Sequence, residues 1–132
     1  MDRALNDTRR VLLIEDSRAD ATIVSQHLSH SEQPPFDLVV ASSLGEGLKR
    51  LRSGFDVVLL DLKLPDSEGA DTLLKLRNVA PSTPVVVLSG TEDIELARRC
   101  IEWGASAFLS KAGLSRGGLW TALRGTIERH GR

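Results

Sequence analysis

Three acidic residues, a hydroxyl and a lysine lie within two positions of the end of an apolar run of the sequence. They are Glu15, Asp16, Asp61, Ser89 and Lys111. Each of them alone favours a structural role, because Asp and Ser after a strand are common helix caps and a single lysine is usually a solvated amine. Carboxylates that share one place repel one another, however, and such a cluster normally needs a cation. Mg²⁺ suits it, since this ion prefers oxygen ligands and retains several waters. The combination therefore predicts a cation site.

The five apolar runs themselves predict the strands that position these residues. The runs are rich in valine and leucine and do not alternate with polar residues, which is typical of strands buried on both faces of a parallel sheet. They cover residues 11–14, 38–41, 57–60, 85–88 and 107–109. In open parallel sheets, ligands bind beyond the carboxyl ends of the strands. We therefore expect the acids, the hydroxyl and the lysine to meet at one edge of one sheet.

Segments with the apolar spacing of amphipathic helices follow each run. The predicted apolar stripes are Ala21, Val24 and Leu28; Leu44, Leu48 and Leu51; Ala70, Leu73 and Leu74; Ile94, Ala97 and Ile101; and Leu119, Leu123 and Ile127. The alternation predicts (βα)5, an open α/β sheet with helices on both faces. Residues 1–9 are predicted to be a loose lead-in, and residues 10–130 the domain.

The ends of two helices carry their own signals. Ser43 with Glu46 has the spacing of a capping box. Thr91, followed by the acids Glu92 and Asp93, indicates the start of the fourth helix. Gly104 can adopt the left-handed conformation that ends it.

Length and composition limit the classes of function. The chain has 132 residues, enough for one domain that buries roughly two thirds of its unfolded surface. Its 17 basic and 18 acidic residues give a net charge of -1, which argues against direct binding of nucleic acid or anionic membrane. No apolar run approaches the ~20 residues of a membrane span. Cys100 is the single cysteine, so no internal disulfide can form. With no apolar signal at the start, we expect a cytoplasmic protein.

The motif residues together resemble the receiver domain of response regulators in two-component signalling. The residues that carry the resemblance are Glu15-Asp16, Asp61 with Pro65 and Gly69 downstream, Ser89-Gly90, and Lys111 with Phe108 three positions earlier. The similarity extends from about residue 11 to about residue 128. It implies a flavodoxin-like (βα)5 three-layer sandwich with strand order 2-1-3-4-5. In that order the first and third strands are neighbours, so Asp16 and Asp61 could share one ion.

The resemblance also implies a role for each residue of the site. Asp61 would accept the phosphoryl group, and Lys111 and Ser89 would contact the phosphoryl oxygens. Mg²⁺ would be held by Asp16 and Asp61, by Glu15 directly or through a water, and by the backbone carbonyl of Lys63. The donor would be a sensor histidine kinase or a histidine phosphotransfer protein. Apart from its own phosphorylation and dephosphorylation, such a domain is not an enzyme.

The expected switch residues are Ser89 and Phe108. Ser89 would move toward the phosphoryl group and vacate space for the Phe108 ring, and the face formed by the fourth helix, fifth strand and fifth helix would report the change. Candidates for that face are Arg98, Arg99, Trp103 and Trp120. The downstream target cannot be predicted from the sequence.

The sequence departs from the family pattern at three positions. Ala112 follows the lysine where the family usually has proline, so we predict a trans or rebuilt turn between the fifth strand and the fifth helix. Phe108 lacks the hydroxyl that a tyrosine would offer. Lys63 places a cation beside Asp61, and we hypothesise that it changes the lifetime of the acyl phosphate; equal decay rates for the protein and its Lys63→Ala variant would contradict this.

Other classes of protein explain the sequence less well. An aspartyl phosphatase needs a second acid where Lys63 stands, and a flavin phosphate would be repelled by Glu15 and Asp16. No acid-flanked histidine box surrounds the three histidines, His27, His30 and His130, and a metal site at His27 and His30 lacks a third ligand. The main alternative is a receiver-like interaction scaffold that works without phosphorylation.

Overall fold

Five parallel strands form one sheet in this computed structural model, which describes residues 8–29 and 36–130. The strands are β1 (Arg9–Ile14), β2 (Phe36–Ala41), β3 (Val57–Asp61), β4 (Val85–Ser89) and β5 (Ala107–Ser110). Their order across the sheet is β2-β1-β3-β4-β5, and all neighbouring pairs are parallel. The flavodoxin-like order is therefore confirmed, and each predicted apolar run lies inside a strand. Arg9 already belongs to β1, whereas residues 1–7 of the predicted lead-in lie outside the described residues.

Five helices connect and cover these strands. They are α1 (Arg18–Ser29), α2 (Leu44–Arg50), α3 (Ala70–Val79), α4 (Ile94–Glu102) and α5 (Arg116–His130). Short 3-10 turns follow α2 at Leu51–Ser53 and β5 at Lys111–Gly113. After β3, residues Lys63–Leu64 pair antiparallel with Ser67–Glu68 in a small hairpin. None of the helices in the described ranges is both long enough and apolar enough to cross a membrane.

Alternate residues of the central strands supply two separate hydrophobic clusters, one on each face of the sheet. On β3, Val58 and Leu60 point to the cluster completed by α2, α3 and α4. Val57 and Leu59 point to the cluster completed by α1 and α5. All four side chains are fully buried. Burial on both faces explains why the sequence of this strand shows a continuous apolar run rather than an alternation.

Two of the five predicted helix stripes are wrong in part. On α3, Leu74 is exposed and Leu76 is buried in its place. On α4, Ile94 is 80% exposed and Ile101 is also exposed, whereas Cys100 is fully buried. A short helix with apolar residues on more than one side offers several stripes of similar spacing, and the sequence alone does not tell which one faces the sheet.

The predicted helix ends are mostly confirmed. Ser43 Oγ accepts a hydrogen bond from the Glu46 backbone N–H at 3.1 Å. Gly104, two residues after the end of α4, has φ +106°, a conformation that favours glycine. The start of α4, however, is capped by Asp93 rather than Thr91: the Asp93 carboxylate accepts hydrogen bonds from the first turn, and the helix begins at Ile94.

Candidate functional site

An open pocket of about 510 Å³ lies at the carboxyl edge of the sheet. Its lining includes all five residues that the sequence places after strands: Glu15, Asp16, Asp61, Ser89 and Lys111. Asp20, Lys63, Glu68 and Thr91 also line it. We call this the acidic pocket. The sequence prediction that these side chains meet at one edge is confirmed.

The acidic pocket contains a triad of carboxylates, Glu15, Asp16 and Asp61. Within the described residues, one oxygen from each member lies within 4.8 Å of the others. Adjacent strands explain this proximity, because Ile14 on β1 is paired with Leu60 on β3 and the acids follow these two residues. Glu15 and Asp61 are only 2% and 4% exposed, whereas Asp16 is exposed.

The donor atoms of this triad fit a hard divalent cation. Three carboxylates at one place offer oxygen ligands and a surplus of negative charge, which are the features that Mg²⁺ prefers. Glu15 Oε1 is buried and lies 2.7 Å from the Lys111 ammonium, so this oxygen already faces a positive charge. Lys63 lines the same pocket, and the role of its backbone carbonyl as a further ligand stays a prediction.

Lys111 is the counter-ion of the pocket. Its Nζ lies 2.7 Å from Glu15 Oε1, 2.9 Å from Asp20 Oδ2 and 3.2 Å from Asp61 Oδ2. The first contact is an ion pair without hydrogen-bond alignment, and the other two are hydrogen bonds. An ammonium group has three donors, and here it faces three carboxylates. The long side chain thereby joins β5 to β1, α1 and β3.

Burial and mutual contact shift the pKa values of these groups. Burial, and next the neighbouring Asp61, raise the pKa of Glu15 to about 7 against the lowering effect of Lys111. For Lys111, burial favours the neutral amine, but the contacts with Glu15 and Asp20 and the charge of Asp61 outweigh it and raise its pKa. The lysine is therefore charged at neutral pH, and the pocket holds more negative charge than one lysine can neutralise.

Ser89 is held by its own loop. It is buried, and its Oγ accepts a hydrogen bond from the Thr91 backbone N–H at 3.1 Å and lies 3.2 Å from Thr91 Oγ1. The other predicted switch residue, Phe108, is half-buried against the core cluster shared with α4. The movement of the two side chains stays a prediction.

The loop after Asp61 connects the pocket with α2. The Lys63 backbone N–H donates a hydrogen bond to Asp61 Oδ1 at 3.2 Å. Further along, Asp66 accepts hydrogen bonds from the Leu44 and Gly45 backbone N–H groups, both at 2.9 Å. The Gly69 backbone, with φ +79°, then leads into α3. The orientation of Asp61 is thus supported by backbone contacts of its own loop.

Two residues of the pocket were missed by sequence reasoning. Asp20 lies in the first turn of α1, four residues after Asp16, and contacts Lys111. The sequence carries no specific signal for this contact, because an acid in the first turn of a helix is equally typical of stabilising the helix N-terminus. Thr91, interpreted as a helix start, is instead the hydrogen-bond partner of Ser89.

The predictions for the turn after β5 and for the α4-β5-α5 face can each be compared with the structure. The peptide bond between Lys111 and Ala112 is trans, as predicted. Arg98 and Arg99 are exposed on α4, and Trp103 is half-buried with Arg99 5.9 Å from its ring. Trp120 is half-buried on α5 and contacts Phe36 of β2; its place on the α4-β5-α5 face stays a prediction.

Neither of the two histidines that the structure describes lines the acidic pocket. His27 is half-buried near the end of α1 and His130 is exposed at the end of α5. His30 lies outside the described residues. Among the residues that the structure describes, the carboxylate triad is the group whose side chains are arranged to hold a metal ion.

Comparisons with known proteins agree with this geometry. The sequence matches the family profile of the response regulator receiver domain over residues 11–123. It is 36% identical over 104 residues to the cell cycle transcriptional regulator CtrA of Caulobacter vibrioides. The aligned region covers 77% of this chain and 43% of CtrA. It is 32% identical over 101 residues to a cyclic di-GMP phosphodiesterase of Thermotoga maritima, covering 76% of this chain and 26% of that protein. The chain therefore matches less than half the length of either relative.

Solved structures show the same architecture. The receiver domain of a LuxO-type repressor from Vibrio parahaemolyticus superposes with a TM-score of 0.82 at 29% identity, covering 93% of this chain and 92% of that one. A CheY-like receiver domain protein from Methanospirillum hungatei gives a TM-score of 0.80 at 24% identity, covering 93% and 96% of the two chains, which supports the fold alone. With the family profile matching most of its length, this chain belongs to the response regulator receiver domain family.

Proposed function

We propose that this domain is a phosphorylation-activated switch in which Asp61 accepts a phosphoryl group in the presence of Mg²⁺. The donor is a sensor histidine kinase or a histidine phosphotransfer protein. The observation that carries the proposal is the placement of Asp61: its carboxylate is almost fully buried in the acidic pocket, with Lys111 at 3.2 Å and two further carboxylates nearby. A buried carboxylate beside a cationic group and a candidate metal site has the parts that phosphoryl transfer needs.

The reaction forms one bond and breaks another. A carboxylate oxygen of Asp61 attacks the phosphorus in line, and the bond from phosphorus to the imidazole nitrogen of the donor histidine breaks. The electron pair stays with the imidazole nitrogen, which remains on the donor protein. Lys111 supplies a positive charge to the phosphoryl oxygens, a role that suits a compact ammonium on a flexible stem.

The carboxylates of the triad, with the Lys63 backbone carbonyl, are the proposed Mg²⁺ ligands. When bound, Mg²⁺ would neutralise negative charge on the phosphoryl oxygens and on the acids around them. The closeness of these carboxylates, with one oxygen from each within 4.8 Å of the others, supports this ligand set. Asp16, being exposed, reaches the site from the solvent side.

The switch begins at Ser89. Its hydroxyl group would exchange the hydrogen bonds to Thr91 for one to a phosphoryl oxygen, and the half-buried Phe108 ring would follow. Such a change shifts the populations of two existing states. The α4-β5-α5 face, where Ile94 and Ile101 are exposed, would report it to a downstream partner. The small net charge favours a protein partner over nucleic acid or membrane.

A cytoplasmic location fits the proposed partner. Histidine kinases present their phosphoryl donor to soluble receivers inside the cell, and Cys100 is a buried free thiol, as expected in a reducing compartment. Beyond its own phosphorylation and dephosphorylation, we propose no enzymatic turnover.

Mass spectrometry of the intact protein tests the proposal. After incubation with Mg²⁺ and acetyl phosphate, the protein should gain about 80 Da, the mass of one phosphoryl group. The Asp61→Asn variant should gain nothing, because an amide oxygen is a poor nucleophile. No gain by the wild-type protein at high Mg²⁺ would contradict the proposal and favour an interaction scaffold that works without phosphorylation.

A further inference from the structure

Asp20 differs from the other two carboxylates that contact Lys111. Glu15 and Asp61 belong to the carboxylate triad, whereas Asp20 lies outside it. Its side chain is 37% exposed at the rim of the acidic pocket, yet its Oδ2 hydrogen-bonds Lys111 Nζ at 2.9 Å. A cation held by the triad would occupy Glu15 and Asp61 but would leave Asp20 free to keep its contact with the lysine.

A phosphoryl group on Asp61 needs the same ammonium. Lys111 has three N–H donors, and three carboxylates already surround it. Two of these would turn to the cation, so Asp20 would be the remaining competitor for Lys111. Asp20 also places a negative charge at the pocket entrance, where an anionic phosphodonor must pass.

We propose that Asp20 is a positioning residue that holds Lys111 against α1 and competes with the phosphoryl group for it. The inference rests on the proposed function of Asp61 and adds a regulatory role for a residue outside the nucleophile and the metal ligands. Asp20 sets how readily Lys111 reaches the phosphoryl oxygens, and so how fast the domain is phosphorylated by an anionic donor.

The Asp20→Asn variant tests this role. Asparagine keeps the size of the side chain but loses its charge, so the ion pair with Lys111 is lost. We expect phosphorylation by acetyl phosphate to become roughly two- to fivefold faster, the range for removing a partly exposed ion pair. In the presence of Mg²⁺, the affinity for beryllium trifluoride, a phosphoryl analogue, should rise by a similar factor. Asp20→Glu retains a carboxylate and should behave like the wild-type protein.

Glu68→Gln is the matched control for general charge repulsion. Glu68 is an exposed acid that lines the same pocket, and it is not among the carboxylates paired with Lys111 in the described residues. If Glu68→Gln accelerates phosphorylation as much as Asp20→Asn, the effect is one of overall charge and the positioning role is overturned. A rate or an analogue affinity of Asp20→Asn equal to or below that of the wild-type protein overturns it as well.

Two further measurements separate the possible failures. Thermal unfolding of Asp20→Asn should stay close to that of the wild-type protein, because Asp20 is at the surface. If the wild-type protein is phosphorylated, Asp61→Asn is not, and Asp20→Asn matches the wild-type protein, then the inference about Asp20 alone is wrong. If the wild-type protein itself gains no phosphoryl group, the proposed function fails and this inference with it.

Discussion

The two sides of the acidic pocket are held in different ways. On one side, Lys111 contacts three carboxylates that lie directly after β1, on α1 and at the end of β3. On the other side, the side-chain hydrogen bonds of Ser89 in the described residues go to Thr91, two positions later in the chain. We call them the lysine side and the serine side. The lysine side connects four elements that are distant in sequence, whereas the serine side is closed by local contacts.

This difference indicates which side can move. Separating Lys111 from buried carboxylates leaves charges without partners, which is costly. Rotating the Ser89 hydroxyl group only exchanges one hydrogen bond for another. The helix that follows this loop, α4, exposes Ile94 at its start rather than burying it. Segments with few buried apolar contacts open at low free energy. The lysine side is thus suited to hold the site together, and the serine side to respond to it.

The largest effect that would sharpen this comparison is expected for Lys111→Met. Methionine fills similar space but leaves the carboxylates of Glu15 and Asp61 without a counter-ion, so the free energy of unfolding should fall by about 2–3 kcal/mol in the absence of divalent ions. Millimolar Mg²⁺ should restore much of the loss, because a cation in the triad replaces the ammonium charge. Urea denaturation with and without Mg²⁺ measures both effects.

Lys63→Met is the control for this measurement. Lys63 lines the same pocket but its side chain is exposed, so its replacement should change the free energy of unfolding by no more than about 0.5 kcal/mol. Equal effects of the two substitutions would mean that the lysine side is not held by its ion pairs, and the contrast between the two sides would be lost.

The sequence predicts the residues at strand ends on both sides of the pocket better than it predicts the orientation of the helices, for a physical reason. A parallel strand buried on both faces has a distinct apolar run, and the residue after it must lie at the carboxyl edge of the sheet. Asp61 and Lys111 were therefore placed by the strands alone. Helix orientation carries a weaker signal, since a short helix such as α4 can turn either Ile94 or Cys100 toward the sheet.

Contacts between side chains lay beyond the reach of sequence patterns. The pairing of Asp20 with Lys111 spans 91 positions, and nothing local in the chain selects it. The hydrogen bond from Thr91 to Ser89 is local, but Thr before two acids is equally typical of a helix start. Tertiary packing decided between these uses of the same residues.

An intermediate effect on the free energy of unfolding is expected for Asp66→Ala. This variant tests whether the stable structure of the lysine side extends through the loop after Asp61. Losing the hydrogen bonds to Leu44 and Gly45 at the start of α2 should cost about 1 kcal/mol. The Gly45 and Leu44 backbone N–H groups lower the pKa of Asp66 from its ordinary 3.8. The folded state therefore favours the ionised form, so this stabilisation is present above pH 3.8 and is lost as the pH falls through the lowered value.

Urea denaturation at pH 6 and pH 3 checks this sign. The difference between the wild-type protein and Asp66→Ala should be larger at pH 6 and smaller at pH 3. Glu92→Ala removes an exposed acid that accepts no backbone hydrogen bond in the described chain, and it serves as the control. A difference that grows on acidification would show that the carboxylate of Asp66 does not stabilise α2 in its ionised form.

The smallest effect is expected for Ile94→Ser, at the start of α4 on the serine side. Ile94 is 80% exposed, and serine and isoleucine have similar helix propensities, so the free energy of unfolding should change by less than about 0.5 kcal/mol. Leu123→Ala, at a fully buried site on α5, should cost about 2–5 kcal/mol in the same urea titration. If Ile94→Ser costs as much as Leu123→Ala, the start of α4 is firmly packed. In that case α4 would be held by apolar contacts as strong as those of the core. The serine side would then move no more easily than the lysine side.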